Sequence, residues 1–300
     1  MQTKKPKIIV ILGPTASGKS DVAVELARKI KGEIISADSR QVYKGLDIGT
    51  GKITKKEMRG VTHHLLDVFS PRKRFTASDF VKLTNVTAVK IVNRGNVPIV
   101  CGGTGFYIDA LLGDKQIPEV PPNPKLREKL EKKSTTELFE ILKKLDPVRA
   151  SNIDSKNPRR LVRAIEICKA IGKVPKLVAS SQNLVASKYG VIKIGIKIDE
   201  KELKERINKR IEKWFKMGLL NEVKDLHKKG LSWKRMAEIG LEYKIVSLFL
   251  QNKISKSEMI LRMQTETWQY AKRQITWFKR DKNIIWIPPK ISAILAVKGL

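Results

Sequence analysis

The chain has 300 residues, 41% of them apolar and 30% charged, the proportions of a globular rather than a disordered chain, with one or two domains around a sizeable core. Lys and Arg number 61 against 30 Asp and Glu, a formal charge of +31. Such a surplus repels itself unless a polyanion offsets it, so nucleic acid is the first partner expected, an anionic membrane surface the second, and a general Lys-rich bias the plain alternative. No apolar run reaches the roughly 18 residues that a membrane span requires, and Ile8 to Leu12 is too short for the core of a signal peptide. The two cysteines, Cys101 and Cys168, show no zinc spacing, and their scarcity suits a reducing compartment. A soluble, cytoplasmic protein without a membrane partner is expected.

Residues 7–12 (KIIVIL) form a continuous β-branched run, the pattern of a buried parallel strand. The run enters GPTASGKS, residues 13–20, a complete GxxxxGK[ST] phosphate-binding loop (P-loop). Gly13 and Gly18 let the chain curl so that N–H groups converge on one anion, with Pro14, Thr15, Ala16 and Ser17 between them. Lys19 supplies positive charge, and the Ser20 hydroxyl can ligate Mg²⁺. A di- or triphosphate is therefore expected here, and the motif alone does not say whether it is a nucleotide.

Val22, Leu26 and Ile30 then recur at helical spacing, with Gly32 as the expected stop. A second strand is predicted over 33–37, ending at Asp38, which the spacing places at the ligand-facing edge of a parallel sheet. There Asp38 is either a metal-water ligand or general base, or a helix N-cap, while Arg40 and Gln41 can bind a phosphate and a base edge. The adjacent His63 and His64 point different ways and read as structural. A third strand, 97–101, ends at Gly102-Gly103-Thr104-Gly105, a turn suited to close backbone approach to a ligand.

Past Gly113 the composition changes. Residues 116–124 (QIPEVPPNP) carry four prolines and read as a stiff linker into a basic, helical stretch to about Gly172. A strand over 191–198 brings the chain back. The predicted fold is α/β, a P-loop NTPase-like parallel sheet core (1–113 and 191–300, with C-terminal helices) interrupted by a mostly helical insertion domain (114–190). Over 257–280 an amphipathic helix is predicted, apolar along Met259, Ile260, Met263, Tyr270, Ala271, Trp277 and Phe278. Arg262, Arg273 and Arg280 form a cationic line flanked by Lys272 and Lys279, with no acid among them, suited to a phosphate backbone.

Taken together, GPTASGKS, ADSRQVYKGLDIGTGK (37–52), HHLLD (63–67), FTASDF (75–80), VCGGTGFYI (100–108), NPRRLVRAIE (157–166), GLLNEV (218–223) and YAKRQITWF (270–278) closely resemble the bacterial-type tRNA dimethylallyltransferases, also called isopentenyltransferases, over nearly the whole chain. The resemblance implies a prenyltransferase. It would move a dimethylallyl group from dimethylallyl diphosphate to the N6 amine of the adenine 3′ of the anticodon, in tRNAs reading codons that begin with U. It implies that Gly13 to Ser20 hold the diphosphate with Mg²⁺, that Asp38 is the general base, that Thr104 lies beside the reacting centre, and that Arg210 touches the diphosphate. Asp38, Ser39, Arg40, Gln41, Thr104, Arg127 and the run Arg159, Arg160, Leu161, Val162, Arg163 match segments that contact the tRNA anticodon stem-loop, and the insertion resembles a tRNA-clamping domain. A monomer is expected. The chain departs from the family pattern at Trp268, where Arg is usual, at Glu238 and at Leu241, and it carries no zinc finger of the eukaryotic kind. The alternative is an ATP-dependent small-metabolite kinase, which explains residues 7–50 but not the charge.

Overall fold

The computed structural model describes residues 5–113, 118, 120–175, 185 and 188–289. The chain divides into two compact units, one of residues 1–112 and 181–300, the other of residues 113–180. Residues 116, 117 and 119 of the proline-rich linker lie outside the described residues.

In the first unit, β1 (Lys7–Leu12) leads through the P-loop into α1 (Lys19–Ile30), followed by β2 (Gly32–Ser36), the short α2 (Lys55–Met58), β3 (His63–His64), α3 (Ala77–Asn93), β4 (Val97–Gly102) and α4 (Gly105–Leu112). After the second unit come β5 (Gly190–Ile196), α9 (Glu200–Lys216), α10 (Leu219–Lys228), α11 (Trp233–Ile239), α12 (Leu241–Leu250), α13 (Lys256–Phe278) and β6 (Ile284–Ile287). The six strands form one sheet in the order β3-β2-β4-β1-β5-β6, with every pairing parallel. Ile9 sits opposite Ile99 on one side and Ile192 on the other.

Such a sheet is covered on both faces, and its strands read accordingly. Ile9, Ile11, Ile34, Ile99, Ile194 and Ile196 pack with Val22, Ala23, Leu26 and Ala27 of α1. The alternate residues Ile8, Val10, Leu12, Ile35 and Val100 are just as deeply buried. Gly32 does not stop α1; Lys31 takes the left-handed cap (φ 53°), and Gly32 opens β2. The strands β3 and β6, absent from the sequence reading, pair at the two edges. His63 and His64 are structural: His63 Nδ1 meets Val61 O at 2.9 Å and His64 Nε2 meets Glu33 Oε2 at 2.6 Å. Glu33 is buried beneath Arg94, Asn96 and His64. Burial alone would raise its pKa, but the three donors outweigh that and hold it at about 2.

The second unit holds α5 (Pro124–Glu131), α6 (Thr135–Leu145), α7 (Pro147–Ser151) and α8 (Pro158–Ile171). Asn123, Ser134, Asp146 and Asn157 cap the N-termini, and Pro follows the cap in α5, α7 and α8, where its missing N–H costs nothing. Leu130, Leu138, Leu142, Leu161 and Ile165 fill its core. Among the described residues no helix is long and apolar enough to cross a membrane.

Candidate active site

The C-terminal ends of β1, β2 and β4 place the P-loop, Asp38 and the Gly102–Gly105 turn at one edge of the sheet, where ligands of open α/β sheets bind. A cleft of about 660 Å³ opens there. It is lined by Thr15, Lys19, Ser20, Asp38, Arg40, Gln41, Gly102 and Arg210 of the expected groups, joined by Trp214, Glu242, Tyr270 and Gln274. Residues as far apart in sequence as Thr15 and Gln274 therefore meet in one cavity.

Gly18 adopts φ 87° as the residue before α1, a left-handed turn that a side chain resists. It leaves the helix N-terminus, with its partial positive charge, facing the loop. Lys19 Nζ donates to Pro14 O at 3.1 Å, so the ammonium lies back across the loop. Desolvation lowers its pKa, and the positive charge of Arg210 adds to this against Cys101 and Asp38. Arg210, on α9, donates to Thr15 Oγ1 at 3.1 Å and lies over the Trp214 ring. Burial lowers its pKa as well. Two partly desolvated cations beside a helix N-terminus make a strong site for a polyanion. The Ser17 hydroxyl is buried there with no hydrogen-bond partner.

Asp38 does not cap a helix, since only turns follow it. Its Oδ1 accepts the N–H groups of Arg40 (2.8 Å) and Gln41 (3.3 Å), an Asx-type turn that leaves Oδ2 for another partner. Thr104 Oγ1 accepts the Ser39 N–H at 3.2 Å, so its own proton is left to donate. Asp38 and Thr104 are thus tied through the same turn. Cys101 is buried under the loop; burial raises its thiol to about 11, which leaves it inert.

Several expected ligand contacts are otherwise employed. Gln41 is not presenting its amide to a base edge: Nε2 donates to Gly51 O at 3.2 Å, and Oε1 accepts from Ser36 Oγ at 3.2 Å. Arg40 donates to Glu242 and lies over Tyr270, an ion pair invisible in a sequence separation of two hundred residues. Burial alone would lower the Arg40 pKa, but Glu242 and Tyr270 raise it. In the second unit Arg127 makes a two-pronged pair with Glu166, and Arg163 a second pair at 2.6 Å. Burial opposes ionisation of Glu166, and Arg127, the Asn123 N–H and Arg163 outweigh it. Leu161 and Val162 lie in the apolar core, so within the 159–163 segment the arginines are the side chains that face outward. Arg159 and Arg160 are exposed.

The cationic line on α13 is exposed as expected, but it has an acid beside it: Arg262 pairs with Glu258 one turn back at 2.6 Å. Lys272, Arg273 and Arg280 lie instead over Trp268, Tyr270 and Trp277. The departures from the family pattern have local partners: Trp268 carries Lys272, Glu238 joins Arg74 and Arg235, and Leu241 opens α12 half-buried. Sequence reasoning missed Glu222, whose carboxylate accepts the N–H groups of Asp47, Ile48 and Gly49 and the Tyr243 hydroxyl. It thereby shapes the wall that Gly49 to Gly51 give the cleft. Gln274 was also missed. Both lie inside blocks that carried the family resemblance, GLLNEV and YAKRQITWF.

Residues 41–281 match the IPP transferase (IPPT) family. A tRNA dimethylallyltransferase of Anoxybacillus flavithermus is 39% identical over 283 residues, spanning 93% of this chain and 89% of the relative; one of Lachnoclostridium phytofermentans is 39% identical, spanning 94% and 92%. The solved structure of the full-length tRNA isopentenylpyrophosphate transferase of Bacillus halodurans superposes with a TM-score of 0.70 at 33% identity, covering 98% and 97% of the two chains. A eukaryotic dimethylallyltransferase acting on tRNA superposes with a TM-score of 0.79 at 27% identity, covering 95% of this chain and 74% of that one. With its parallel sheet, P-loop cleft and these relatives along almost its whole length, the chain belongs to the tRNA dimethylallyltransferase (IPP transferase) family.

Proposed function

We propose that this cleft transfers a dimethylallyl group from dimethylallyl diphosphate to the N6 amine of the adenine 3′ of the anticodon, in tRNAs reading codons that begin with U, giving N6-isopentenyladenosine. The observation that carries the reading is the pairing, in one cavity, of a cationic phosphate cradle with the Asp38 carboxylate, whose turn is tied to Thr104 through the Ser39 N–H.

The P-loop amides, Lys19 and Arg210 bind the diphosphate and stabilise its charge as it leaves. The amine lone pair forms the new N–C bond to the first carbon of the dimethylallyl group. The C–O bond breaks, and its electrons leave with the diphosphate. Asp38 Oδ2 accepts the proton that the amine loses, while Oδ1 stays anchored to the turn. The Thr104 hydroxyl donates a hydrogen bond to the adenine and orients it, with no proton transferred. The Trp214 and Tyr270 rings offer the apolar wall that an isoprenoid tail needs. Reaching this cleft requires the adenine to leave its stack.

Mg²⁺ fits the donors at hand. No cluster of three His, Cys, Asp or Glu able to hold a metal occurs among the described residues, whereas the exposed Ser20 hydroxyl lines the cleft. A serine plus phosphate oxygens and water is the set that Mg²⁺ prefers. When bound, the ion neutralises leaving-group charge.

The test is transfer of radiolabel from dimethylallyl diphosphate to tRNA, with nucleoside analysis of the product and ATP consumption followed in parallel. Label recovered as N6-isopentenyladenosine without ATP turnover is expected. ATP turnover on a small metabolite without labelled tRNA would instead favour the kinase reading.

A further inference from the structure

Gln274 is 6% exposed, and neither end of its amide serves its own helix. Oε1 accepts the N–H of Thr15, inside the P-loop, at 2.8 Å. Nε2 donates to Gly103 O at 2.7 Å, on the turn that carries Thr104. The two loops hang from different strands, β1 and β4, and a single planar amide spans them. The approach is close: a Cβ at Gly103 would lie 2.3 Å from Gln274 Nε2, so a side chain there pushes the amide aside. Thr15 is held at both ends, since its hydroxyl accepts from Arg210. A buried amide that places both a donor and an acceptor has a fixed orientation, and a substitute lacking either leaves a backbone group unpaired.

The geometry points to Gln274 as a positioning residue that sets the separation between the diphosphate-binding loop and the turn that receives the amine. This rests on the function proposed above. Gln274 itself binds neither reacting atom. Its effect falls on the distance the amine has to cover, a quantity to which transfer reactions are steep: a misplacement of about 1 Å costs on the order of 10²-fold in rate. Affinity for each substrate alone depends on one loop at a time and is insensitive to the bridge.

The experiment compares the full-length parent with Gln274→Met, which keeps volume and loses both hydrogen bonds, and with Gly103→Ala, which displaces the amide by adding a methyl group. Melting temperature, separate dissociation constants for dimethylallyl diphosphate and tRNA, and the single-turnover rate at saturation of both are measured. Both variants should lose about 10- to 100-fold in single-turnover rate, with each dissociation constant within about threefold of the parent. Because both break the same bridge, the double variant should be no slower than the slower single. A single-turnover rate within about twofold of the parent in Gln274→Met, whatever its melting temperature, overturns the inference, as do losses that multiply in the double variant. Should Gln274→Met fail to fold, Gly103→Ala decides by the same rate criterion. A parent that transfers no label to tRNA overturns the function itself, an outcome distinct from a working parent whose rate ignores the bridge.

Discussion

Asp38 meets two demands with two oxygens. Oδ1 closes the turn onto the Arg40 and Gln41 N–H groups, and the proposed transfer assigns Oδ2 to the amine. This division makes Asp38→Asn informative, because the asparagine carbonyl keeps the turn. The single-turnover rate should fall by about 10²–10⁴-fold, the usual contribution of a general base, while tRNA affinity changes little. A rate within a fewfold of the parent would make Asp38 a turn residue only. The sequence reading treated base and cap as alternatives, and the structure shows why they were inseparable: both need a short carboxylate at the end of β2. Arg40 was legible as a cation but not as a paired one, since Glu242 lies some two hundred residues away, and only the fold brings the two together.

At the scale of elements, the strongly periodic segments were legible. β1, α1, β4 and α13 stand within two residues of their expected bounds, because continuous β-branched runs and a 3.6-residue period are properties of the local chain. The edge strands were not. Two residues of β3 carry no periodicity, and β6 follows a long helix in a run of four. The ridge on α13 shows the same boundary between pattern and contact. Its exposure followed from helical spacing, whereas the Glu258 partner of Arg262 lay one turn outside the aligned set. The remaining cations, resting on aromatic faces, stay available to a polyanion. Arg273→Ala with Arg280→Ala should flatten the log–log salt dependence of tRNA binding by somewhat more than one unit, at roughly 0.7–0.9 per phosphate contact. Single-turnover chemistry at saturating tRNA should hardly change. An unchanged slope would move the tRNA backbone elsewhere, with exposed Arg159 and Arg160 the next positions to test.

At the scale of the whole molecule, the N-terminal end of β2 and the cleft obey different electrostatics. Glu33, at the start of β2, has a folded pKa of about 2 against an ordinary 4.5. A depressed carboxylate stabilises the fold above its unfolded pKa, and that contribution drains away as pH falls from about 4.5 to about 2. With Arg94 half exposed and screened, it is worth roughly 1–3 kcal/mol at neutral pH. Glu33→Gln should therefore lower the melting temperature at pH 7, and the gap to the parent should shrink across that acid window; a gap independent of pH would assign the loss to packing. In the cleft the cations are the perturbed groups, Lys19 and Arg210 both lowered by burial, as befits a site awaiting negative charge. If this cradle holds the diphosphate of the prenyl donor, calorimetric titration of dimethylallyl diphosphate with Mg²⁺ present will separate the parent from Lys19→Ala. The variant should bind at least about tenfold more weakly, with its melting temperature and tRNA affinity retained. Equal affinity in a folded Lys19→Ala protein would contradict that assignment.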